Sequence, residues 1–443
     1  MSERHYYVVT RRTRLIRLPN WSIPLGYVVA AIVIGLTLPR FEARLLPGWS
    51  SGISPSVAAS IYSSIAAGMI TLSGIVFSLV FVMVQFSATA YSPRLVLWMS
   101  RDPLVSHAIG MFTATFLYAI AALAWVDRHG SGKVPFFSAW LVVALLLASV
   151  GVFISLVQSL SRLQIHHVLA FTGDFARRVI DVMYPPLGRC KQGSGVTSFR
   201  SPAMHNVIYH GAPRAVQCLD VESLVALAED ADAVIEMVAA VGDTLVEGAP
   251  ILRVYGGRHS IKDRYLKKAV ATGTERTFEQ DPKYSLHLLA DIAVRALSPA
   301  INDPTTAVQA LDQIEDLLLR LGKRQLEIGE VFDAAGNLRL VIQVPTWEDF
   351  LNLAFSQIRY YGATSLQVMR RMNALFTDLI DAMPEKRLAA LRSHRKRLHA
   401  TIARSFPDIE DQLEASAEDR EGFGSTRRHH TDDLVQASHA RSI

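Results

Sequence analysis

Four long apolar stretches in the first third of the chain constrain its fold more than any other feature. They span residues 23–39, 56–91, 104–126 and 134–160 of the 443-residue sequence. A helix rises about 1.5 Å per residue, so roughly 20 residues cross the roughly 30 Å hydrocarbon core of a bilayer. Each stretch is long enough to do so, and the sequence therefore predicts four transmembrane helices.

Composition limits what the chain can bind. Half of its residues are hydrophobic and only 19% are charged, so a net charge of +5 does not indicate a nucleic-acid-binding surface. Because the cysteines are only Cys190 and Cys218, neither a disulfide framework nor a cysteine-rich metal site is expected. The expected partner is the lipid bilayer, and no nucleic acid, metal or cofactor is expected.

Basic residues predict the orientation of the helices. One side of the membrane would carry Arg4, Arg11, Arg12, Arg14, Arg17, Arg94, Arg101, Arg162, Arg177 and Arg178. The other side would carry Arg40, Arg44, Arg128 and Lys133. Positive residues favour the cytoplasmic side, and the number of spans is even. Both termini are therefore expected in the cytoplasm, with the protein in the inner membrane.

A polar stripe runs along the second apolar stretch. Its members recur every seventh residue: Ser64, Thr71, Ser78, Gln85 and Ser92. Seven residues turn a helix through about 700°, about 20° short of two full turns, so the five side chains lie on one face. Two interpretations stay open. The stripe packs against another helix through its small and hydroxyl-bearing residues, or it lines a water-filled path.

Ionisable side chains of the kind that couple transport are not found in the apolar stretches. Within the bounds given above there is no Asp, Glu, Lys or Arg. Coupled transporters usually place such groups at depth, so a passive pore for a small ion or solute is favoured over a pump. If four helices per chain are too few to enclose a pore, the second helix would repeat around the symmetry axis of a homo-oligomer.

The remaining chain is divided by changes in composition. A basic N-terminus (residues 1–20) precedes the transmembrane domain (21–161), and a juxtamembrane helix and linker (162–200) follow it. In that helix, His166 and His167 could bind a metal or sense pH. Neighbouring residues point about 100° apart on a helix, however, so a polar helix face is the favoured interpretation.

Residues 201–260 are predicted to form a small β-rich subdomain. A strand over 207–219 leads into a helix over 221–231, for which Asp220 is the predicted N-cap. Residues 241–252 resemble the hairpin of barrel-sandwich, biotinyl- or lipoyl-like domains. No lysine occupies the position of a carried prosthetic group, so a swinging-arm carrier is not expected.

Residues 261–405 are predicted to form an α+β subdomain with two well-capped helices. Asp281-Pro282 and Asp303-Pro304 each place a preferred N-cap residue before a proline at the first helical position. The loop before the second helix clusters Asn302, Asp303, Thr305 and Thr306. This loop either binds an anion at the helix N-terminus or is held by Asp303 as a simple cap.

Local signals also predict the last elements. Strands over 325–331 and 338–344 form a hairpin, and Thr346 opens one long helix that ends near residue 383 with a capping-box start. A basic amphipathic helix over 384–405 either touches anionic lipid or faces solvent. The tail over 406–443 is polar and is expected to be disordered.

Three segments identify a family resemblance. They are residues 86–94 (FSATAYSPR), 279–282 (EQDP) and 296–307 (ALSPAINDPTTA). To about residue 400 the chain resembles the bacterial integral-membrane domain-of-unknown-function family 2254. The resemblance implies four spans and a cytoplasmic C-terminal region, and it implies no activity.

The sequence thus predicts an α-helical membrane protein with four transmembrane helices and a cytoplasmic α+β region. The first functional hypothesis is a homo-oligomeric channel whose cytoplasmic domain assembles or gates it. The alternative is a membrane-anchored sensor or scaffold whose α+β region binds a ligand or a partner protein. No catalytic signature of a hydrolase, P-loop or metalloprotease is present, so an enzyme is not expected.

Overall fold

The computed structural model describes residues 21–45, 51–90, 103–127, 134–160, 165–188 and 204–424. The chain forms two units, which are described separately below. Within the described residues, the membrane unit lies between residues 21 and 160, and the C-terminal unit comprises residues 165–188 and 204–424.

The described part of the membrane unit contains four helices. They are α1 (Ser22–Leu45), α2 (Pro55–Ala90), α3 (Pro103–Leu123) and α4 (Phe136–Leu160). All four are long and apolar enough to cross a membrane, which confirms the prediction of four spans. Helix α2 has 36 residues without a break at its glycines, so it reaches about 54 Å, well beyond one hydrocarbon core.

Helix α3 is the centre of the membrane unit, since it packs against α1, α2 and α4. Glycine allows its close approach to α1. A Cβ on Gly35 would lie only 2.7 Å from the Cβ of Ala121, and one on Gly110 would lie 2.6 Å from the Tyr27 ring. Small residues serve this purpose in transmembrane packing, because lipid gives apolar side chains little reason to prefer each other over acyl chains.

Helix α1 continues past the predicted end of its apolar stretch. The sequence predicts an end at Pro39, yet the helix runs through this proline to Leu45. Membrane helices tolerate proline when neighbouring helices and side chains satisfy the freed backbone groups. The extension brings Glu42 into the unit with 5% of its surface exposed, so the expectation of spans without acidic side chains is wrong for α1.

The C-terminal unit begins with α5 (Ile165–Met183), which confirms the predicted juxtamembrane helix. Next come β1 (His205–Ile208), β2 (Arg214–Leu219), α6 (Val221–Ala231), β3 (Ala233–Met237), β4 (Thr244–Leu245), β5 (Pro250–Gly256), α7 (Asp263–Lys268) and β6 (Val270–Gly273). The single strand predicted over 207–219 is thus two strands. The predicted Asp220 cap of α6 is confirmed, because its carboxylate accepts from the Ser223 backbone N–H.

The second half of this unit is mostly helical. Its elements are α8 (Pro282–Ala296), α9 (Pro304–Gly322), β7 (Glu330–Phe332), β8 (Leu338–Val341), α10 (Trp347–Tyr361), α11 (Leu366–Ala382), α12 (Glu385–Ser405) and α13 (Ile409–Ser416). Helix α8 packs against α5, α9 and α10, and α9 packs against α5 and α11.

Two sheets share one apolar core, and their strand order corrects two predictions. One sheet has the order β1-β5-β3-β8-β7, and the other has β4-β2-β6. Strand β3 pairs in parallel with β8, so the β-rich subdomain does not end at residue 260. Strands β4 and β5 lie in different sheets, so residues 241–252 do not form the predicted hairpin. The predicted β7–β8 hairpin is confirmed over fewer residues.

The helix predicted over 346–383 is broken into α10 and α11. The capping box of Thr346 and Asp349 is present, but α10 ends at Gly362 and Ser365 caps α11.

The expected disorder after residue 405 is wrong for residues 406–424. Helix α13 packs on α11 and α12 because Asn373 donates to the Ala415 carbonyl and Arg370 pairs with Glu414. Residues 425–443 lie outside the described residues.

The contact between α1 and α3 predicts a position-specific cost. Gly35→Ala should destabilise the membrane unit by about 1–3 kcal/mol, because its methyl group overlaps Ala121 in a packed interface. The measurement is thermal unfolding of the detergent-solubilised protein. Gly26→Ala on the same helix is the matched control, since nothing lies within 4 Å of its Cβ position. Equal effects of the two substitutions would contradict this packing.

Candidate functional site

The polar stripe of α2 faces away from the rest of its own chain. Ser64, Thr71, Ser78 and Gln85 are all exposed, and Ser92 lies outside the described residues. The Thr71 hydroxyl donates to the Ala67 carbonyl of its own helix at 3.1 Å. Helix packing and a water-filled path both stay predictions for this stripe.

The buried face of α2 is the opposite one. Tyr62, Met69 and Val76 are buried against the unit's core. At 100° per residue, Met69 lies about 140° and Tyr62 about 160° around the helix from Ser64. The outward face also carries large apolar side chains beside the stripe, among them Ile70 and Phe77. Helix α2 is thus apolar toward its own chain and carries a narrow polar band on the opposite side.

A set of polar side chains is buried where the four membrane helices meet. Glu42 of α1 accepts hydrogen bonds from the backbone N–H groups of Phe137 at 3.0 Å and Ser138 at 3.4 Å, at the start of α4. Tyr62 of α2, Tyr118 of α3 and Ser138 of α4 are buried beside it. Each helix contributes one residue to this set, which is called the Glu42 cluster below.

The predicted ligand loop before α9 has the geometry of a helix cap. Asp303 accepts from the Thr306 backbone N–H at 3.1 Å and from the Thr306 hydroxyl at 2.6 Å, so both carboxylate oxygens are used. Asn302 adopts a left-handed backbone with φ of 50° and is exposed, and Thr305 accepts from Gln367 of α11 at 3.5 Å. These contacts support the capping interpretation, and ligand binding at the loop stays a prediction.

The segment 279–282 ties α8 to the sheets. The Asp281 side chain caps α8 through the Tyr284 backbone N–H and accepts from Arg276 at 2.9 Å and 2.5 Å. Burial raises the pKa of the Asp281 carboxyl above its usual range, while Arg276 and Lys283 oppose that shift. The Gln280 amide pairs with both backbone polar groups of Leu219 in β2, at 2.8 Å and 3.1 Å.

The space next to Asp281 is too small for a substrate. A cavity of about 30 Å³ is lined by Leu219, Gln280, Asp281 and Lys283, among others. That volume holds one or two water molecules. The segment therefore has a structural role in joining the helical and β parts of the C-terminal unit.

His394 is buried, whereas the histidine pair singled out in the sequence is exposed. His166 and His167 are exposed on α5, with ring centroids 4.1 Å apart. His394 of α12 is 6% exposed and lies near Phe355. Burial lowers the pKa of His394 to about 4, and the charges of Arg397 and Arg359 act in the same direction.

The described part of the chain contains no cluster of the side chains that usually bind transition metals. There, no group of three or more His, Cys, Asp or Glu side chains is arranged to hold a metal ion. The Glu42 cluster is not such a group, because three of its four members contribute hydroxyl groups.

Sequence reasoning missed the Glu42 cluster because its four residues are spread over 97 positions from Glu42 to Ser138. One local signal was available. Glu42 follows the first apolar stretch by only three residues, so one further turn of helix buries it. Tyr62 and Tyr118 carry no signal of their own, since tyrosine is common in membrane helices near the interface.

Comparison with known proteins finds relatives whose activity has not been determined. A family model described as "Predicted membrane protein (DUF2254)" matches residues 18–378. The chain is 26% identical over 406 residues to the uncharacterized protein Mb1321c of Mycobacterium bovis and to the uncharacterized protein Rv1290c of Mycobacterium tuberculosis. In both cases the alignment covers 89% of this chain and 77% of the relative. No solved structure matches the chain significantly.

The buried His394 predicts a pH-dependent stability. The folded state keeps this imidazole neutral, whereas the unfolded chain protonates it near its ordinary pKa of 6.5. Stability is therefore lost as the pH falls from about 6.5 toward about 4. Between pH 7 and pH 5 we expect a loss of about 1–2 kcal/mol, after allowing for solvent screening.

Denaturant unfolding of the full-length protein at both pH values measures this loss. His394→Leu should remove most of the difference, and His166→Gln, which changes an exposed histidine, should behave as wild type. An unchanged pH dependence in His394→Leu would show that other groups cause it.

Proposed function

Since the chain belongs to the DUF2254 family of predicted membrane proteins, we propose that it is a multi-pass membrane protein that assembles as a homo-oligomer through α2 and conducts small ions or solutes along the polar stripe. Its four membrane helices and their hydropathy support the membrane assignment. The positions of Arg and Lys support an inner-membrane location with both termini in the cytoplasm.

The observation that carries this proposal is the exposure of the stripe on the face of α2 opposite to its buried face. Hydroxyl and amide groups gain nothing from contact with acyl chains, which offer no hydrogen bonds. Such a band is stabilised by another protein surface or by water. Because α2 uses its other face for its own chain, the band is available to a second copy.

Symmetry explains how one polar helix face per chain can line a path through the membrane. In a cyclic homo-oligomer, every subunit presents the same surface around the axis. Ser64, Thr71, Ser78 and Gln85 would repeat in layers about 10.5 Å apart, because seven residues rise by that distance. The apolar side chains about 100° around the helix from the stripe, such as Ile70 and Phe77, would then face lipid.

The chemistry of the stripe favours a passive path. Hydroxyl and amide side chains exchange hydrogen bonds with a hydrated solute but carry no charge of their own. A coupled pump needs a group that is charged and discharged during the cycle. The C-terminal unit is then an assembly or gating domain in the cytoplasm.

Cross-linking tests the subunit contact. In a variant with Cys190 and Cys218 replaced by serine, Thr71→Cys and Ser78→Cys should form covalent dimers in membranes, with oxidant or with a short bismaleimide. Ile70→Cys and Phe77→Cys are matched controls, because each is exposed on the same helix but points about 100° away from its stripe neighbour. Equal yields at all four positions, or none, would contradict a contact centred on the stripe.

Flux through liposomes tests conduction. Purified wild-type protein should make liposomes leak a small cation or anion, and Ser78→Leu should lower that leak several-fold by placing an apolar side chain in the path. Phe77→Leu changes the adjacent residue outside the stripe and should leave the leak unchanged. If liposomes with wild-type protein leak ions no faster than liposomes without protein, the channel hypothesis is contradicted. If the stripe cysteines still form cross-links in that case, the membrane-anchored scaffold is favoured.

A further inference from the structure

The Glu42 cluster holds an acidic side chain whose charge is only partly balanced. Among the described residues, Glu42 forms no ion pair with any Lys, Arg or His. Its neighbour Arg40 is exposed and lies over the Trp125 ring, 5.7 Å from the centroid. The N-terminal end of α4 carries the equivalent of about half a positive charge. Roughly half a negative charge therefore remains on the buried Glu42 carboxylate.

Three hydroxyl groups around this carboxylate have no hydrogen-bond partner in the described structure. They are the hydroxyls of Tyr62, Tyr118 and Ser138, and all three residues are at most 4% exposed. Ser138 also donates its backbone N–H to Glu42, so this residue lies next to the carboxylate. The Tyr118 and Ser138 hydroxyls are close enough to interact with each other, although not in good hydrogen-bonding geometry, and both tyrosines lie in the same packed core, close enough to feel the charge of Glu42.

The rest of the same core shows that unpartnered hydroxyls are not the rule there. Thr115 of α3 and Ser149 of α4 hydrogen-bond to each other at 2.9 Å, and the Tyr27 hydroxyl meets His107 at 3.2 Å. Buried polar groups are normally satisfied, so the unpartnered Tyr62 hydroxyl and the poorly oriented Tyr118 and Ser138 hydroxyls indicate that something else completes the Glu42 cluster. A water molecule would satisfy hydroxyls but would leave the charge in place.

The oxygen atoms present are those that hard cations bind. A carboxylate offers about four acceptor positions, two of which accept from α4, and each hydroxyl offers acceptor lone pairs. Hard cations prefer such all-oxygen surroundings. A single formal negative charge matches a monovalent ion, since a divalent ion would leave an excess of positive charge in an apolar core.

We infer that Glu42, Tyr62, Tyr118 and Ser138 form a binding site for one alkali cation, Na⁺ or a close relative, inside the membrane unit of each chain. The site lies on the buried side of α2, so it is separate from the stripe and does not depend on assembly or conduction. Helices α1 and α3 end near the site, and helices α2 and α4 begin near it. The site therefore lies toward the side of the membrane away from the predicted cytoplasmic ends. The bound ion would join all four helices.

The test is thermal and denaturant unfolding of the full-length detergent-solubilised protein in NaCl against choline chloride at equal ionic strength, with LiCl and KCl as further arms. A ligand that binds only the folded state lowers the unfolding equilibrium constant by about 100-fold at a concentration of one hundred times its Kd. We expect Na⁺ to stabilise wild type in this saturable way and choline not to. Binding of radioactive ²²Na⁺ should approach one ion per chain.

Variants make the assignment specific. Glu42→Gln removes the charge, and Tyr118→Phe removes one oxygen while keeping the ring, so both should abolish or strongly weaken the Na⁺ effect. Thr115→Val, which removes a paired hydroxyl of the same helix, should keep it, as should Ser78→Leu in the stripe. If Glu42→Gln does not fold, the response of Tyr118→Phe to Na⁺ alone decides whether the cluster binds the ion.

Three outcomes would overturn the site. The first is identical unfolding of wild type in NaCl and choline chloride. The second is an equal loss of the Na⁺ effect in Thr115→Val and Tyr118→Phe. The third is a stabilisation that follows pH but not Na⁺ concentration, which would assign the cluster to a proton on Glu42. Loss of flux or cross-linking in the stripe variants would leave this site untouched.

Discussion

The bilayer interior offers no hydrogen bonds, and this constraint organises the whole membrane unit. Every polar group placed at depth has to be satisfied by protein, by water admitted to the interior or by an ion. Thr115 and Ser149 show the simplest solution, a direct pair across two helices. The exposed stripe of α2 and the hydroxyls of the Glu42 cluster lie where another protein surface, water or an ion can supply further partners.

Helix α2 carries both features on opposite faces. Its buried face, with Tyr62 and Met69, packs in the core of its own unit, while Ser64 and Thr71 point outward. Helix α2 is continuous over 36 residues, and its described side chains keep this division as far as Gln85. Assembly between copies and ion binding within a copy are therefore physically separate requirements, although one rigid element takes part in both.

In the C-terminal unit six helices, α6, α8 to α11 and α13, begin at side-chain caps, and two sheets close over one apolar core. The segments that carry the family resemblance here contain Asp281 and Asp303, which cap α8 and α9. Gln280 joins α8 to β2 through two hydrogen bonds. Family resemblance in this unit therefore reports how the helices are joined to the sheets, and it does not by itself indicate a reactive site.

Features that depend on neighbouring residues were determined by the sequence alone: the four spans, the caps at Asp220, Asp281 and Asp303, and the capping box at Thr346. Hydropathy and capping act within a few residues, so a linear pattern contains them. Tertiary structure decided the parallel pairing of β3 with β8, the docking of α13, and the outward direction of the α2 stripe. It also brought Glu42 to Ser138 across 96 positions. These features depend on which surfaces of the folded chain contact each other. The contacting residues are far apart in the sequence, so no local sequence pattern predicts them.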